Sequence, residues 1–262
     1  MREDVKQALS WAVPVIVVAG LAAALYYGRR HKEAPVVEQV QSQPEPPADT
    51  APEHHPIDSG AAGNAPLPAL GDSDAAMQES LAGTFGRSLE AFLVPKDIVR
   101  HIVVTTDNLT RKKTAVQLWP VKPTGGQFAV SGAAEQPTLS SDNFARYEPI
   151  MQIVKNTDAK QLAAIYKHFY PLFQQAYVEL GYPQGYFNDR LIAVIDHLLE
   201  TPEVQGPVKL VQPGVFYQFA DPSLEERSSG QKLLIRMGSK HAAAVKIKLR
   251  ELRREIVKAE KN

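Results

Sequence analysis

The sequence predicts a mainly α fold with one or two small β-hairpins, an α+β domain that follows a transmembrane helix and a disordered tether. An uncharged stretch occupies residues 7–28, a proline-rich acidic segment follows at 29–66, and apolar residues recur at helical spacing from about residue 158 onward. The chain is thus expected to consist of a short tail (1–6), a membrane span, a linker and a globular domain (67–262).

Residues 7–28 have the length and composition of a membrane anchor. A helix of this length rises roughly 33 Å, which matches a hydrocarbon core of about 30 Å. Trp11 and Tyr26 lie near its two ends, where aromatic rings suit the membrane interface. A cleaved signal peptide is the alternative, because Ala22–Ala24 fits a small-residue cleavage site, but Glu3 interrupts the basic leading region. We expect a retained helix that contacts the lipid bilayer.

The flanking charges leave the orientation of the anchor open. Arg2 and Lys6 precede the span, and Arg29, Arg30 and Lys32 follow it, which leans slightly toward a cytoplasmic C-terminus. A short N-terminal tail and a long following domain favour the opposite topology. The absence of cysteine suits an oxidising compartment. We therefore expect a single-pass protein of a bacterial inner membrane with a periplasmic C-terminal domain.

The linker at 29–66 is expected to be disordered and extended. It is rich in proline and acidic residues and has almost no aromatic side chains that could form a core. At about 3.1 Å per residue, its full stretch is about 120 Å, which would let the domain approach a cell-wall layer. His54 and His55 lack fixed partners there, so no metal site is predicted.

The charge of the domain does not favour nucleic acid as a partner. The whole chain has 29 basic and 29 acidic residues. Five basic and eight acidic residues precede the domain, so the domain has a slight basic excess, too small to indicate nucleic-acid binding. The basic residues cluster on the last predicted helix, which either docks with a solvated charged face or contacts anionic headgroups or an acidic partner.

Helical periodicity is strongest in the second half of the domain. Asn156 or Thr157 is predicted to cap a helix that starts at Asp158 and runs to about Leu180, with Pro171 expected to kink or divide it. Asn188 is predicted to cap the next helix, which Pro202 stops. Further helices are predicted near 229–237 and 240–258 and, more weakly, at 73–81 and 97–106; the last of these could equally be a strand. Predicted strands cover 127–131, 208–211 and 215–219.

Seven short motifs in the domain carry a resemblance to a known family. They are Tyr170–Tyr177, Gly181–Pro183, Phe187–Leu191, Ile195–Leu199, Phe219–Pro222, Ser229–Lys232 and Arg236–Gly238. The domain resembles the family catalogued as domain of unknown function 3014, bacterial proteins with this same plan of anchor, tether and domain. The resemblance covers essentially the whole domain. It implies an architecture but neither an activity nor a set of functional residues.

One candidate binding site centres on the start of the helix after residue 186. Polar side chains gather there beside several tyrosines, whose rings could stack on sugar faces and whose hydroxyls could form hydrogen bonds. The alternative is a helix with a solvated or ion-paired face and tyrosines that belong to the core. The candidate binding residues are Asn188, Asp189, Arg190, Arg146, Tyr147, Tyr182 and Tyr186. No catalytic residue, metal ligand or cofactor is predicted.

Two motifs are typical of serine acyl-transfer enzymes but occur in the wrong context. Ser229–Lys232 matches S-x-x-K, and Ser141–Asn143 matches S-D-N. Their order is reversed, no K-T-G follows, and the domain is too small and too helical for that fold. The sequence therefore favours a non-enzymatic envelope protein whose domain binds a protein or peptidoglycan partner. The alternative is an envelope enzyme or glycan-binding module with a site around Asp189 and Arg190.

Overall fold

The structure is a computed structural model that describes residues 57, 66–86, 92–123 and 125–258. The predicted anchor at 7–28 and nearly all of the predicted linker lie outside these residues, as do His54 and His55. Within the described ranges, every helix is too short or too polar to span a bilayer.

The described residues form a mainly helical domain with two small antiparallel hairpins, which confirms the predicted fold class. The helices are α1 (Asp74–Phe85), α2 (Ile98–Asn108), α3 (Asp142–Ala145), α4 (Glu148–Asn156), α5 (Ala159–Glu179), α6 (Phe187–Leu199), α7 (Pro222–Glu225), α8 (Ser229–Arg236) and α9 (Ser239–Val257). The strands are β1 (Val130–Ser131), β2 (Thr138–Leu139), β3 (Leu210–Val211) and β4 (Gln218–Phe219). Short 3-10 turns lie at Leu70–Asp72 and Val116–Leu118.

Helix α5 is the centre of the main core. It packs against α2 and α9, and α6 packs against the same two helices. Its buried face repeats at spacings of three and four residues through Leu162, Tyr166, Phe169, Phe173 and Tyr177. Burial of this apolar stripe explains why the long helix forms where its sequence predicts it.

The ends of α5 and α6 are held differently from the sequence prediction. The N-cap of α5 is Asp158, whose carboxylate accepts from the backbone N–H of Lys160 and Gln161, so the predicted caps Asn156 and Thr157 are wrong. Pro171 lies inside α5, which continues as one helix and is not divided. The helical residues on both sides of Pro171 keep their backbone hydrogen bonds and bury apolar side chains, and these contributions offset the hydrogen bond that the proline cannot donate.

The start of α6 depends on a residue from another helix. Asn188 is not its cap, because the N-cap position is Tyr186 and the Asn188 side chain is buried. Instead, Gln174 of α5 accepts from the Phe187 N–H at 2.8 Å and donates to the Gly185 carbonyl at 2.8 Å. Because this cap comes from a neighbouring helix, the residues around the start of α6 give no sequence signal for it.

Other boundaries were predicted more closely. Helix α8 ends one residue before the predicted 229–237, and α9 begins and ends one residue before the predicted 240–258; the side-chain cap of α8 is Ser228. The ambiguous segment at 97–106 is the helix α2, because its β-branched residues fill the core beside α5. Helix α4 and strand β2 were not predicted from the sequence.

The two hairpins form a small second layer with their own core. An isolated bridge between Thr138 and Lys209 joins them. Leu139, Leu210 and Phe219 are buried there against Ile235 of α8. This cluster fixes the β3–β4 hairpin to the helical layer.

Candidate functional site

A buried carboxylate organises the polar groups around the start of α6. Asp107 lies in the last turn of α2, and its side chain is only 4% exposed. A carboxylate in the last helical turn faces the negative end of the helix macrodipole, so it requires cationic or donor partners. Those partners come from the loop after α2, from the α5–α6 connection and from α6 itself.

Three side chains meet at this carboxylate, and we call the four residues the Asp107 cluster: Asp107, Arg111, Tyr182 and Arg190. Arg190 donates through Nε to Asp107 Oδ1 at 2.8 Å, and Arg111 donates through Nη2 to Asp107 Oδ2 at 2.6 Å. The Tyr182 hydroxyl donates to Oδ2 at 3.3 Å and accepts from Arg111 at 2.9 Å. The second edge of Arg190 binds the Asp107 carbonyl at 2.7 Å and the Thr110 hydroxyl at 2.6 Å.

This geometry commits the cluster to internal contacts. Burial works against the charge of Arg111, yet the attraction of Asp107 and Tyr182 raises the pKa of Arg111 above its ordinary value. Arg190 uses Nε and Nη2 on groups from α2 and the loop after it, so these two donors are engaged within the domain. The cluster therefore ties the end of α2 to the start of α6.

The tyrosines near the cluster divide into buried and exposed members. Tyr166, Tyr170 and Tyr177 are buried in the main core, and Tyr166 donates to the Asn188 side chain at 3.0 Å. Burial is the main cause that raises the pKa of Tyr170 and of Tyr177 to about 12, with a smaller contribution from the Asp189 carboxylate at Tyr170 and from the Asp107 carboxylate at Tyr177. These three rings form core contacts rather than an open sugar-binding groove.

The remaining tyrosines lie closer to solvent. Tyr182 stacks on Tyr177 with ring centroids 4.6 Å apart, and Tyr186 is 52% exposed at the N-cap of α6. Asp189 is half-buried in the first turn of α6. The structure thus brings Tyr182 and Arg190 together on a residue that the sequence did not single out. That the predicted residues bind a ligand stays a prediction.

Arg146 and Tyr147 occupy a separate place, the junction between α3 and α4. Arg146 donates to the carbonyls of Gly125, Gly126 and Gln127 at 3.0–3.2 Å and so holds that loop against α3. Tyr147 is fully buried, and burial raises the pKa of its hydroxyl. Both residues therefore contribute to the packing of the α3–α4 region.

The serine and lysine of the S-x-x-K match are also committed to structural contacts. The Ser229 hydroxyl donates to the carbonyls of Asn108 and Leu109 at 3.1 and 3.4 Å. Lys232 donates to the Glu225 carboxylate at 2.9 Å and to the Glu225 carbonyl at 3.1 Å. The amine is thus not aimed at the hydroxyl, as acyl transfer would require. In the part of the chain that the structure describes, no group of three or more His, Asp or Glu side chains could hold a metal ion.

Three exposed apolar residues of the described domain lie on the β3–β4 hairpin, among them Val215, the most exposed large apolar side chain in the part of the chain that the structure describes. We call residues 211–216 the hairpin tip; Gln212 donates to the Val215 carbonyl at 3.2 Å and closes the turn. Val215 is 81% exposed, and Val211 and Phe216 are each exposed over nearly half of their surface. Residues 210–220 include no charged side chain. An uncharged apolar projection of this kind is typical of an interaction surface.

Sequence reasoning missed Asp107, although a signal was present. An acidic residue at the end of a β-branched helical run opposes the macrodipole, and such a conflict indicates a partner elsewhere in the fold. The partner is Arg190, which lies 83 residues away in the sequence, and only the structure identifies it.

Comparison with known proteins gives a family and no activity. The family model described as "Protein of unknown function (DUF3014)" matches residues 98–253. The match begins with α2 and ends in α9, so it includes the Asp107 cluster and both hairpins. No curated protein and no solved structure matches the chain.

Proposed function

The chain belongs to the family described as Protein of unknown function (DUF3014), and from that premise we propose that it is a non-enzymatic, membrane-anchored module whose helical domain binds a partner protein of the bacterial envelope. The hairpin tip is the surface that contacts this partner. The extended linker lets the domain reach away from the membrane helix at residues 7–28.

The exposure of Val215 supports a protein partner most directly. Because Val215 is 81% exposed on an uncharged turn, folding of the domain buries little of its apolar surface. An apolar pocket of a partner would bury that surface and so gain free energy. The side chains of Val211 and Val215 offer no donors or acceptors for sugar hydroxyls, so these two residues fit a protein surface better than a glycan strand.

The Asp107 cluster has the contacts of a structural ion pair rather than those of a catalytic pair. A catalytic acid–base pair needs two titratable groups whose environments separate their pKa values and leave them access to a substrate. Asp107 is buried and is held by two guanidinium groups and a phenol. The alternative of an enzyme or glycan-binding site around Asp189 and Arg190 gains no support from these contacts.

The membrane anchor and the location of the domain rest on sequence. Residues 7–28 lack charge over the length of a bilayer, and we propose an inner-membrane span with the domain in the periplasm. Deletion of residues 7–28 should move the protein from the membrane pellet to the supernatant. A reporter fused after Asn262 should be active only in the periplasm, and activity only in the cytoplasm would overturn the proposed topology.

Photo-crosslinking in cells tests the partner surface. A photoreactive amino acid at position 215 of the full chain should give one adduct of defined mass, which mass spectrometry identifies as a single protein. The matched control has the same photoreactive amino acid in place of Gln184, an exposed position in the α5–α6 connection, and should give no adduct. The change Val211→Ser should weaken the adduct at least fivefold if the tip buries itself in the partner.

Two results would contradict the proposal. One is an adduct that changes mobility after muramidase digestion, since that would identify a glycan strand as the partner. The other is an adduct at position 184 with the same identity and yield as the adduct at 215, which would mean that the tip is not the contact surface.

A further inference from the structure

Helix α9 presents a cationic stripe to solvent. On its inner face, Val245, Leu249 and Ile256 are buried in the main core. The opposite face is exposed along the whole helix at spacings of three or four residues, and we call it the outer stripe. Its residues are Lys240, Ala243, Ile247, Arg250, Arg254 and Lys258.

Lys258, at the end of the outer stripe, pairs with Glu255 at 3.1 Å, and the other three cations of the stripe differ from it. Lys248 and Arg253 pair with Glu251 and Asp196. Among the residues that the structure describes, Lys240, Arg250 and Arg254 have no carboxylate within ion-pair distance. Ile247, at the middle of the stripe, is 55% exposed. The stripe therefore combines unneutralised positive charge with an exposed apolar centre, which fits an acidic segment that also has apolar residues.

The chain itself has such a segment before the described domain. Residues 33–58 include six carboxylates and no lysine or arginine. The same segment has apolar residues such as Val36, Val37 and Val40. Ile57, near its end, is half-buried against the main core, so the segment reaches the surface of the domain there.

We propose that the acidic segment at 33–58 docks on the outer stripe of α9 in the same molecule. The 24 residues from 33 to 56 can extend roughly 80 Å from Ile57, whereas a domain of this size has a diameter of about 40 Å. A short flexible connection gives an effective concentration in the millimolar range, so even a weak contact between opposite charges is populated within one molecule. Docking covers the outer stripe and shortens the reach of the linker. A ligand that binds either the stripe or the acidic segment therefore changes how far the domain extends from the membrane.

The absence of cysteine in the chain allows a clean crosslinking test. The full chain in nonionic detergent is made with Ser42→Cys and Ala243→Cys, which place one thiol in the acidic segment and one in the outer stripe. The matched control combines Ser42→Cys with Ala134→Cys, an exposed position between β1 and β2. With a short bifunctional maleimide at low salt, we expect the first pair to crosslink at least tenfold faster than the control pair. At 0.5 M salt, where charges are screened within a few ångströms, the advantage should disappear.

Charge exchange separates electrostatic docking from simple proximity. Arg250→Glu with Arg254→Glu should lower the fast rate to that of the control pair. The addition of Glu45→Arg with Asp49→Arg should restore it, because the charges are again opposite. Equal rates for the two cysteine pairs, or a fast rate that is unchanged by the charge reversal, would overturn the proposal. Loss of the fast rate in vesicles of anionic lipid, but not of neutral lipid, would show that the stripe binds headgroups and would also overturn it.

Discussion

The Asp107 cluster and the outer stripe of α9 both concentrate charge, but they do so in opposite surroundings. In the cluster, Arg190 and Arg111 bind a carboxylate that is almost fully buried. In the stripe, Arg250 and Arg254 face solvent and have no such partner among the described residues. The difference shows that arginines support the fold in one place and face solvent in the other.

Removal of the buried carboxylate should have the largest effect on stability. Asp107→Asn leaves two guanidinium groups beside a neutral amide, and we expect a loss of about 2–4 kcal/mol in the free energy of unfolding. Urea denaturation measures it. Asp97→Asn is the matched control: Asp97 pairs with Arg100 where both side chains are about 40% exposed, so its loss should stay below about 1 kcal/mol. Equal losses for the two variants would mean that the cluster is not a buried anchor.

A steric change next to the cluster should come second. A Cβ at Gly230 would lie 2.6 Å from the Leu198 side chain and 2.9 Å from the Leu109 carbonyl, which follows the end of α2. Gly230→Ala should therefore destabilise the domain by about 1–3 kcal/mol, as overpacking does in other cores.

The matched control for that change lies on an exposed helix face. A Cβ at Gly83, within α1, would have no neighbouring atom within 4 Å. Gly83→Ala should therefore stabilise the domain by about 0.5–1 kcal/mol. Thermal unfolding of both variants should shift the midpoint in opposite directions, and a stabilising effect of Gly230→Ala would contradict the close packing of α8 against α2.

Acid should destabilise the domain in two steps. Burial is the main cause that lowers the pKa of His101 and of His197 below their ordinary value of 6.5. The unfolded chain binds these protons more readily, so stability is complete above pH 6.5 and falls as the pH drops below it. The pKa of Glu148 is lowered, mainly by its hydrogen bond with His241, which adds a smaller loss below pH 4.5.

Urea midpoints between pH 4 and pH 8 measure this dependence. His101→Gln with His197→Gln should flatten the slope between pH 5 and pH 6.5 and leave the lower step in place. An unchanged slope in the double variant would show that other groups cause the first step.

Truncation on the outer stripe should have the smallest effect on stability. Arg250→Ala and Arg254→Ala each remove an exposed cation without an ion-pair partner, so we expect changes within about 0.5 kcal/mol by urea denaturation. A loss above 1 kcal/mol would mean that these cations support the fold, and the contrast with Arg190 would fail.

Local patterns predicted the helices of this fold well and the contacts between them poorly. The stripe of α5 and the glycine after α8 have clear sequence signals, and the structure places those helices within a residue or two of the predicted bounds. Gln174 capping α6, and Asp107 binding Arg190, join residues that are far apart in sequence or on different helices. Such contacts depend on the packing angle of whole helices, which a single sequence does not display.

The candidate site shows the same limit. The sequence directed attention to Arg190 and Tyr182, which the structure brings together at Asp107; that they bind a ligand stays a prediction. It gave no means of deciding whether those groups face a ligand or one another. That decision depends on Asp107, whose burial is a property of the assembled helices.

The most direct test of the account measures stability and partner contact in the same two variants, Arg190→Ala and Val215→Ser. We predict that Arg190→Ala lowers the unfolding free energy by more than 1.5 kcal/mol yet, at a temperature where it remains folded, retains the adduct from a photoreactive residue at position 211. Val215→Ser should keep wild-type stability and lose that adduct. An Arg190→Ala protein of wild-type stability that loses the adduct would contradict the division between a structural cluster and a binding tip.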